Sequence, residues 1–140
     1  MEGEDLDLVL SKMIGLNKLC LFSALYHWNL GNVMGTRSMF FSNTFSVEAN
    51  EYSIFKCING FDDFVKVKGF DLFYTDPYRT ICDLVAYGID ELTILEALDD
   101  FVNMYSVDRL REYAVKYNVS EKLNSLLGEI EDGSYYLNYC

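Results

Sequence analysis

The sequence predicts an α+β domain: a small, mostly antiparallel β-sheet packed with an N-terminal helical pair and a C-terminal helical bundle. Three observations lead there. Apolar residues recur at helical spacing before residue 35 and again after residue 75. Between them lies a zone of period-2 alternation. The length, 140 residues of which 51% are apolar, suits one domain. The expected organisation is a single domain over 1–133, helical over 1–35, sheet over 36–75 and helical over 76–133. A Tyr-rich tail over 134–140 follows, with no clear period.

The first helix rests on Leu6, Val9, Leu10, Met13 and Ile14, with Asp5 as N-cap and Gly15 as terminator. Asn17 is placed to cap a second helix reaching about Leu30, closed by Gly31. That helix is apolar nearly all round (Leu19, Leu21, Phe22, Ala24, Leu25, Tyr26, Trp28), as a buried helix must be. In the sheet zone, Met39, Phe41, Phe45 and Val47 alternate with polar residues, which predicts a half-buried strand. Tyr52 to Ile58 predicts a second strand. Phe64–Val67 and Phe70–Tyr74 predict a hairpin turning at Lys68–Gly69. Lys66 and Lys68 give that sheet a wet side. Beyond it, Asp76 and Pro77 open a helix, and Gly88 ends it. Asp90, Ser106 and Ser120 are the expected caps of three more short amphipathic helices.

The charge is −11, from 22 acidic and 11 basic residues. From residue 75 onward there are 13 acids against 5 bases, so the helical zone is the acidic end. This balance argues against nucleic acid and anionic membranes as direct partners and favours a basic protein. The acidic N-terminus is not a secretory leader, and no apolar run approaches the roughly 20 residues a membrane span needs. Cys20, Cys57, Cys82 and Cys140 are far apart, and His27 is the one histidine. Free thiols in a cytoplasm, with no metal and no cofactor, follow.

Candidate chemistry is sparse. Ser23 and His27 share a helix face, but nothing beside them offers an oxyanion hole. The adjacent acids Asp99 and Asp100 point about 100° apart on a helix and form a solvated face. Asp62 and Asp63 sit among turn formers. Arg79 and Asp83 can pair at i,i+4, in the order less favoured by the helix dipole, which suggests that the arginine also holds a backbone carbonyl or a neighbouring helix. No phosphate-cradling glycine pattern occurs. No residue set for an enzyme emerges.

One segment carries a family likeness. Tyr74-Thr75-Asp76-Pro77-Tyr78-Arg79-Thr80-Ile81-Cys82-Asp83-Leu84 resembles the "v-x-S/T-P-E-R-T-x-x-D-L" stretch of the AbiEi family, antitoxins and regulators of type IV toxin–antitoxin systems. Phe22 to Leu30 resembles that family's S-A-L-x-x-H-G-L helix, Val65 to Phe70 its v-x-v-x-G hairpin, and Ile94–Leu98 with Val107–Ala114 its later helices. The pieces occur in the family's order over about residues 20–127. The resemblance implies antitoxin activity toward a nucleotidyltransferase-type toxin system, with Asp76, Pro77, Arg79, Thr80 and Asp83 as motif residues. Departures are clear. Only about 20 residues precede the S-A-L helix, too few for the family's DNA-reading winged helix. Tyr78 replaces the usual Glu, and Trp28-Asn29 the usual Gly.

The expectation is therefore a non-enzymatic antitoxin-like or regulatory interaction domain. The alternative is an acidic phage or mobile-element inhibitor, anti-CRISPR-like, that blocks the basic channel of a nucleic-acid-handling effector. Contact residues expected on either reading are Tyr78, Asp90, Glu91, Glu96, Asp99 and Asp100. A homodimer is left open, and the location is cytoplasmic, the host's if phage-encoded.

Overall fold

In a computed structural model that describes residues 3–34 and 37–133, six helices surround a six-stranded mixed sheet. The elements in chain order are α1 (Gly3–Ile14), β1 (Lys18–Leu19), α2 (Leu21–Trp28), β2 (Ser38–Ser42), β3 (Val47–Glu48), β4 (Tyr52–Lys56), β5 (Phe64–Lys66), β6 (Phe73–Thr75), α3 (Pro77–Ala86), α4 (Glu91–Val102), α5 (Val107–Lys116) and α6 (Ser120–Asp132). The α+β class is as expected. The tail at 134–140 lies outside the described residues.

The strand order is β3-β4-β2-β1-β6-β5. Three ladders are antiparallel, yet the longest, β2 with β4, is parallel and pairs Ser38 with Tyr52 through Ser42 with Lys56. The chain leaves β2, turns through β3 and returns as β4 between them. Arg37 makes this tight return workable. Its guanidinium donates to the Asn50 carbonyl (2.8 Å), the Tyr52 carbonyl (3.0 Å) and Ser53 Oγ, and pairs with Glu48 at 3.2 Å. These bonds tie the β3–β4 turn to the start of β2.

Two expected elements need correction. The strand alternation through Phe45 and Val47 does not hold, because every residue of β2 is buried. Met39 and Phe41 face the helical bundle, and Phe40 faces the opposite layer. A central strand covered on both faces has no polar side to alternate with. Phe45 and Val47 are exposed at the sheet's edge instead. Nor does Asn17 cap a helix. Lys18–Leu19 form β1, which joins β2 to β6, and α2 starts only at Leu21. The chain turns there with Leu21 at φ +49°, a strained value for a leucine, held by complete burial.

Smaller differences follow the same logic. Asp5 lies inside α1, not ahead of it. Asn29 ends α2 in the left-handed region, while Gly31 packs against α4: a Cβ there would meet the Ala97 backbone at 3.4 Å. The β5–β6 hairpin forms with Gly69 at φ +86°, but its turn spans 67–72. Asp76, Asp90 and Ser106 cap α3, α4 and α5 as expected, accepting from the N–H of Arg79, Thr93 and Arg109 respectively. Ser120 is the first residue of α6 and caps nothing.

The sheet separates two apolar layers. On one side, α1 presents Leu10 to Leu19, Phe40, Ile54 and Tyr74. On the other, α2 to α6 enclose the larger core around Leu25, Ile81, Leu98, Phe101 and Leu126.

Candidate functional site

The resemblance-bearing segment spans the end of β6 and the start of α3, where the sheet meets the bundle. Asp76 Oδ1 accepts from the Arg79 N–H (2.7 Å), and Oδ2 accepts from the Tyr113 hydroxyl (2.8 Å). One carboxylate therefore caps α3 and ties α5 to it. Burial pushes the Asp76 carboxyl above its usual range despite these donors. Pro77 takes the first helical position, where its missing N–H costs nothing. The Thr80 hydroxyl donates to the Asp76 carbonyl (2.6 Å) and lies 2.7 Å from the Thr75 hydroxyl.

Arg79 is completely buried, with 0% of its surface exposed. Its Nε donates to Asp83 Oδ2 at 3.1 Å, and Asp83 is equally buried. Nη1 donates to the Asp62 carbonyl (2.7 Å), and Nη2 approaches the Cys57 sulfur at 3.4 Å. The guanidinium carbon lies 5.0 Å from the Phe64 ring centre and 5.3 Å from those of Phe41 and Tyr117. The expected hold on a backbone carbonyl is present, and it pins the loop between β4 and β5 to α3. Burial pushes the Asp83 carboxyl up to about 6, with the Arg79 charge and hydrogen bond acting the other way. Asn59 also acts on that carboxylate, but neither Asn59 Nδ2 nor Asp83 Oδ1 makes a hydrogen bond of ordinary geometry.

A rim of residues, of which the sequence draws attention to Asp63 only as part of a turn, completes the cluster. Asp63 holds φ +61° and accepts from Lys116 Nζ (2.7 Å) and from the Tyr117 hydroxyl. Burial works to raise the Asp63 carboxyl, but those donors hold it below the usual range. Tyr113 on α5 and Tyr117 at its C-cap, four residues apart, are the sequence signal that would have pointed here, since that spacing places both rings on one side of the helix.

The expected contact residues are distributed differently. Tyr78 is a core residue: its ring stacks on Tyr113 at 5.1 Å and meets Phe101 edge-on, while its oxygen accepts from the Ser106 N–H (3.2 Å). It is therefore not a surface contact. Asp90 is exposed and spent on its cap, with the Thr93 N–H and hydroxyl holding its carboxyl below the usual range. Glu91 pairs with Lys122 of α6, Glu96 accepts from Asn32, and Asp100 Oδ2 accepts from the Gly31 N–H at 2.7 Å. These acids fasten α4 to its neighbours. Asp99 is half-buried, and its carbonyl accepts from Asn103.

On the other side of the sheet, buried Asp7 accepts from the Ser38 hydroxyl and from the Tyr74 hydroxyl (2.5 Å). His27 stacks flat on Tyr74 at 4.0 Å. The Ser23 oxygen accepts from the Met39 N–H (2.8 Å) and so ties α2 to β2. Asp7 escapes notice in the sequence, although it stands three and seven residues before the buried-face residues Leu10 and Ile14.

With Arg79, Thr80 and Asp83 all closed to solvent, the cluster's chemistry is that of a clamp between strand, loop and two helices. Comparison with protein-family models, with curated proteins and with solved structures found no match.

Proposed function

We propose that this chain is an interaction domain that works through its exterior and makes or breaks no covalent bond, an antitoxin-like module similar to the AbiEi C-terminal region. One observation carries the reading. The residues that bear the likeness, Asp76, Pro77, Arg79, Thr80 and Asp83, are consumed in capping and clamping α3, and three of them have no solvent-exposed surface. A motif used in that way marks a kind of fold and leaves binding to the outer faces of the helices. On this reading the partner belongs to a nucleotidyltransferase-type toxin system, and the site of action is cytoplasmic. No helix among the described residues is long and apolar enough to cross a membrane. Co-expression with such a toxin is the test: growth should be rescued. Survival no better than with an empty vector overturns the reading.

A second reading is favoured by a separate observation. Glu112 of α5 and Glu121 of α6 are exposed and have no ion pair among the described residues, unlike Glu91 of α4, which pairs with Lys122. Such carboxylates suit a protein that occupies the basic nucleic-acid channel of a defence effector. That inhibitor would compete with guide RNA for the effector, less well at high salt, and Glu112→Gln with Glu121→Gln would weaken it. Undiminished guide binding at saturating inhibitor removes this reading.

A further inference from the structure

Of the chain's eleven cations, five are in ion pairs among the described residues, and four of the other six gather at one end of the sheet, with Lys56 on β4 and Arg109 on α5 lying elsewhere. Arg37, Arg79, Arg111, Lys116 and Lys122 each form an ion pair. Lys12, Lys18, Lys66 and Lys68 form none among the described residues. The pairing of Lys66 with Phe73, and of Phe73 with Lys18, sets these three side by side on one face of β5, β6 and β1. Lys18 Nζ lies 3.8 Å from the centre of the Phe73 ring.

Beside this row run two open cavities of about 550 and 300 Å³ that share Gly15, Leu16 and Asn17 and so form one groove around the end of α1. Lys12 and Phe70 line the first, with Lys68 next to its Gly69 wall. Lys18, Phe41 and Phe61 line the second. Phe70 and Phe61 are 49% and 36% exposed, large values for phenylalanine. Asp71 is the one acid among the lining residues, and it already accepts from Asn17 Nδ2 at 2.9 Å.

We propose that this groove docks an extended acidic segment of a partner protein, in which carboxylates alternate with bulky apolar side chains. The carboxylates pair with Lys12, Lys18, Lys66 and Lys68, and the apolar side chains seat on Phe61 and Phe70. An extended chain points successive side chains to opposite sides, so a charged residue and an apolar one can meet the lysine row and the aromatic floor in turn. A nucleic acid fits less well. Its continuous phosphate charge would extend past four lysines into the surface of a protein whose net charge is −11. The docking surface is separate from the acidic helical exterior used in either reading above and stands whether or not they do.

The test is fluorescence anisotropy with the full chain and a labelled peptide of about ten residues alternating glutamate with phenylalanine. Binding should weaken as salt is raised. Lys18→Glu with Lys66→Glu should weaken it about tenfold or more, and Lys66→Gln alone by less. Phe61→Ser with Phe70→Ser should weaken it with the lysines intact. Asn124→Lys, on the exposed surface of α6, should leave it unchanged. The lysines are on the surface, so an unaltered thermal melt distinguishes lost docking from lost folding. Four results overturn the proposal: no binding, equal binding of a glutamine–phenylalanine peptide, tighter binding of a single-stranded oligothymidylate, or self-association of the wild type that the lysine changes abolish.

Discussion

A guanidinium closed off from water has to be neutralised from within. Arg79 takes its counter-charge from Asp83, a carbonyl from Asp62 and three aromatic faces from Phe41, Phe64 and Tyr117. Removing one partner leaves a buried charge exposed to a low dielectric. Asp83→Asn should therefore cost about 3–5 kcal/mol, whereas Arg79→Met combined with Asp83→Leu should recover much of that loss. Urea unfolding of the three variants checks the expectation. The pH dependence separates two carboxylates. With Asp83 pushed up to about 6, the folded chain between about pH 4 and 6 holds a proton that the unfolded chain has released. Its contribution to stability is thus fullest below about pH 4 and falls as pH rises through that window. Asp63, held low by Lys116 and Tyr117, acts in the opposite sense: its contribution is present at neutral pH and is lost on acidification through the lowered value. Unfolding midpoints should show the gap between wild type and Asp83→Asn narrowing as pH rises from about 4 to 6, and the gap for Asp63→Asn widening only as pH rises toward about 4 from below. If the Asp83 gap widens too, the attraction of Arg79 outweighs burial.

Among the elements, caps are where local chemistry speaks most plainly. Asp76→Ala removes both the Arg79 N–H acceptor and the Tyr113 acceptor, and should cost about 1–2 kcal/mol. Ser106→Ala should cost about 1 kcal/mol. Ser120→Ala should stay within about 0.5 kcal/mol because that hydroxyl caps no helix. Thermal melts rank the three. This pattern also explains which parts of the fold can be read from the sequence. Asp76, Asp90 and Ser106 act on N–H groups three residues away, so the sequence contains cap and helix together. β1 is two residues long and gains its place only from β2 and β6, which lie far along the chain, so no local pattern announces it. The alternation about Met39 misleads because both faces of β2 are covered by helices that the strand itself does not encode. The Arg79–Asp83 pair is visible as a spacing. Its burial is not, since its surroundings come from four other elements and loops.

For the molecule as a whole, the sheet is strongest at β2 and β4, which share five register pairs, and weakest at β3 and β5, which have neighbours on one side only. Amide exchange should follow that order, with β2 and β4 opening only on global unfolding and the edge strands opening sooner. Phe40→Ala should cost about 3–5 kcal/mol by hollowing the layer beneath α1. The two-residue β1 has a further effect, on biosynthesis. It is translated near the start of the chain but forms the seam between β2 and β6, and the β6 half of that seam leaves the ribosome more than fifty residues later. At roughly 5–20 residues per second, the apolar α2 emerges on the order of seconds before the sheet that shelters it can close. During that interval the apolar surface of α2 has no sheet to cover it, and slow codons between residues 30 and 75 would prolong the exposure.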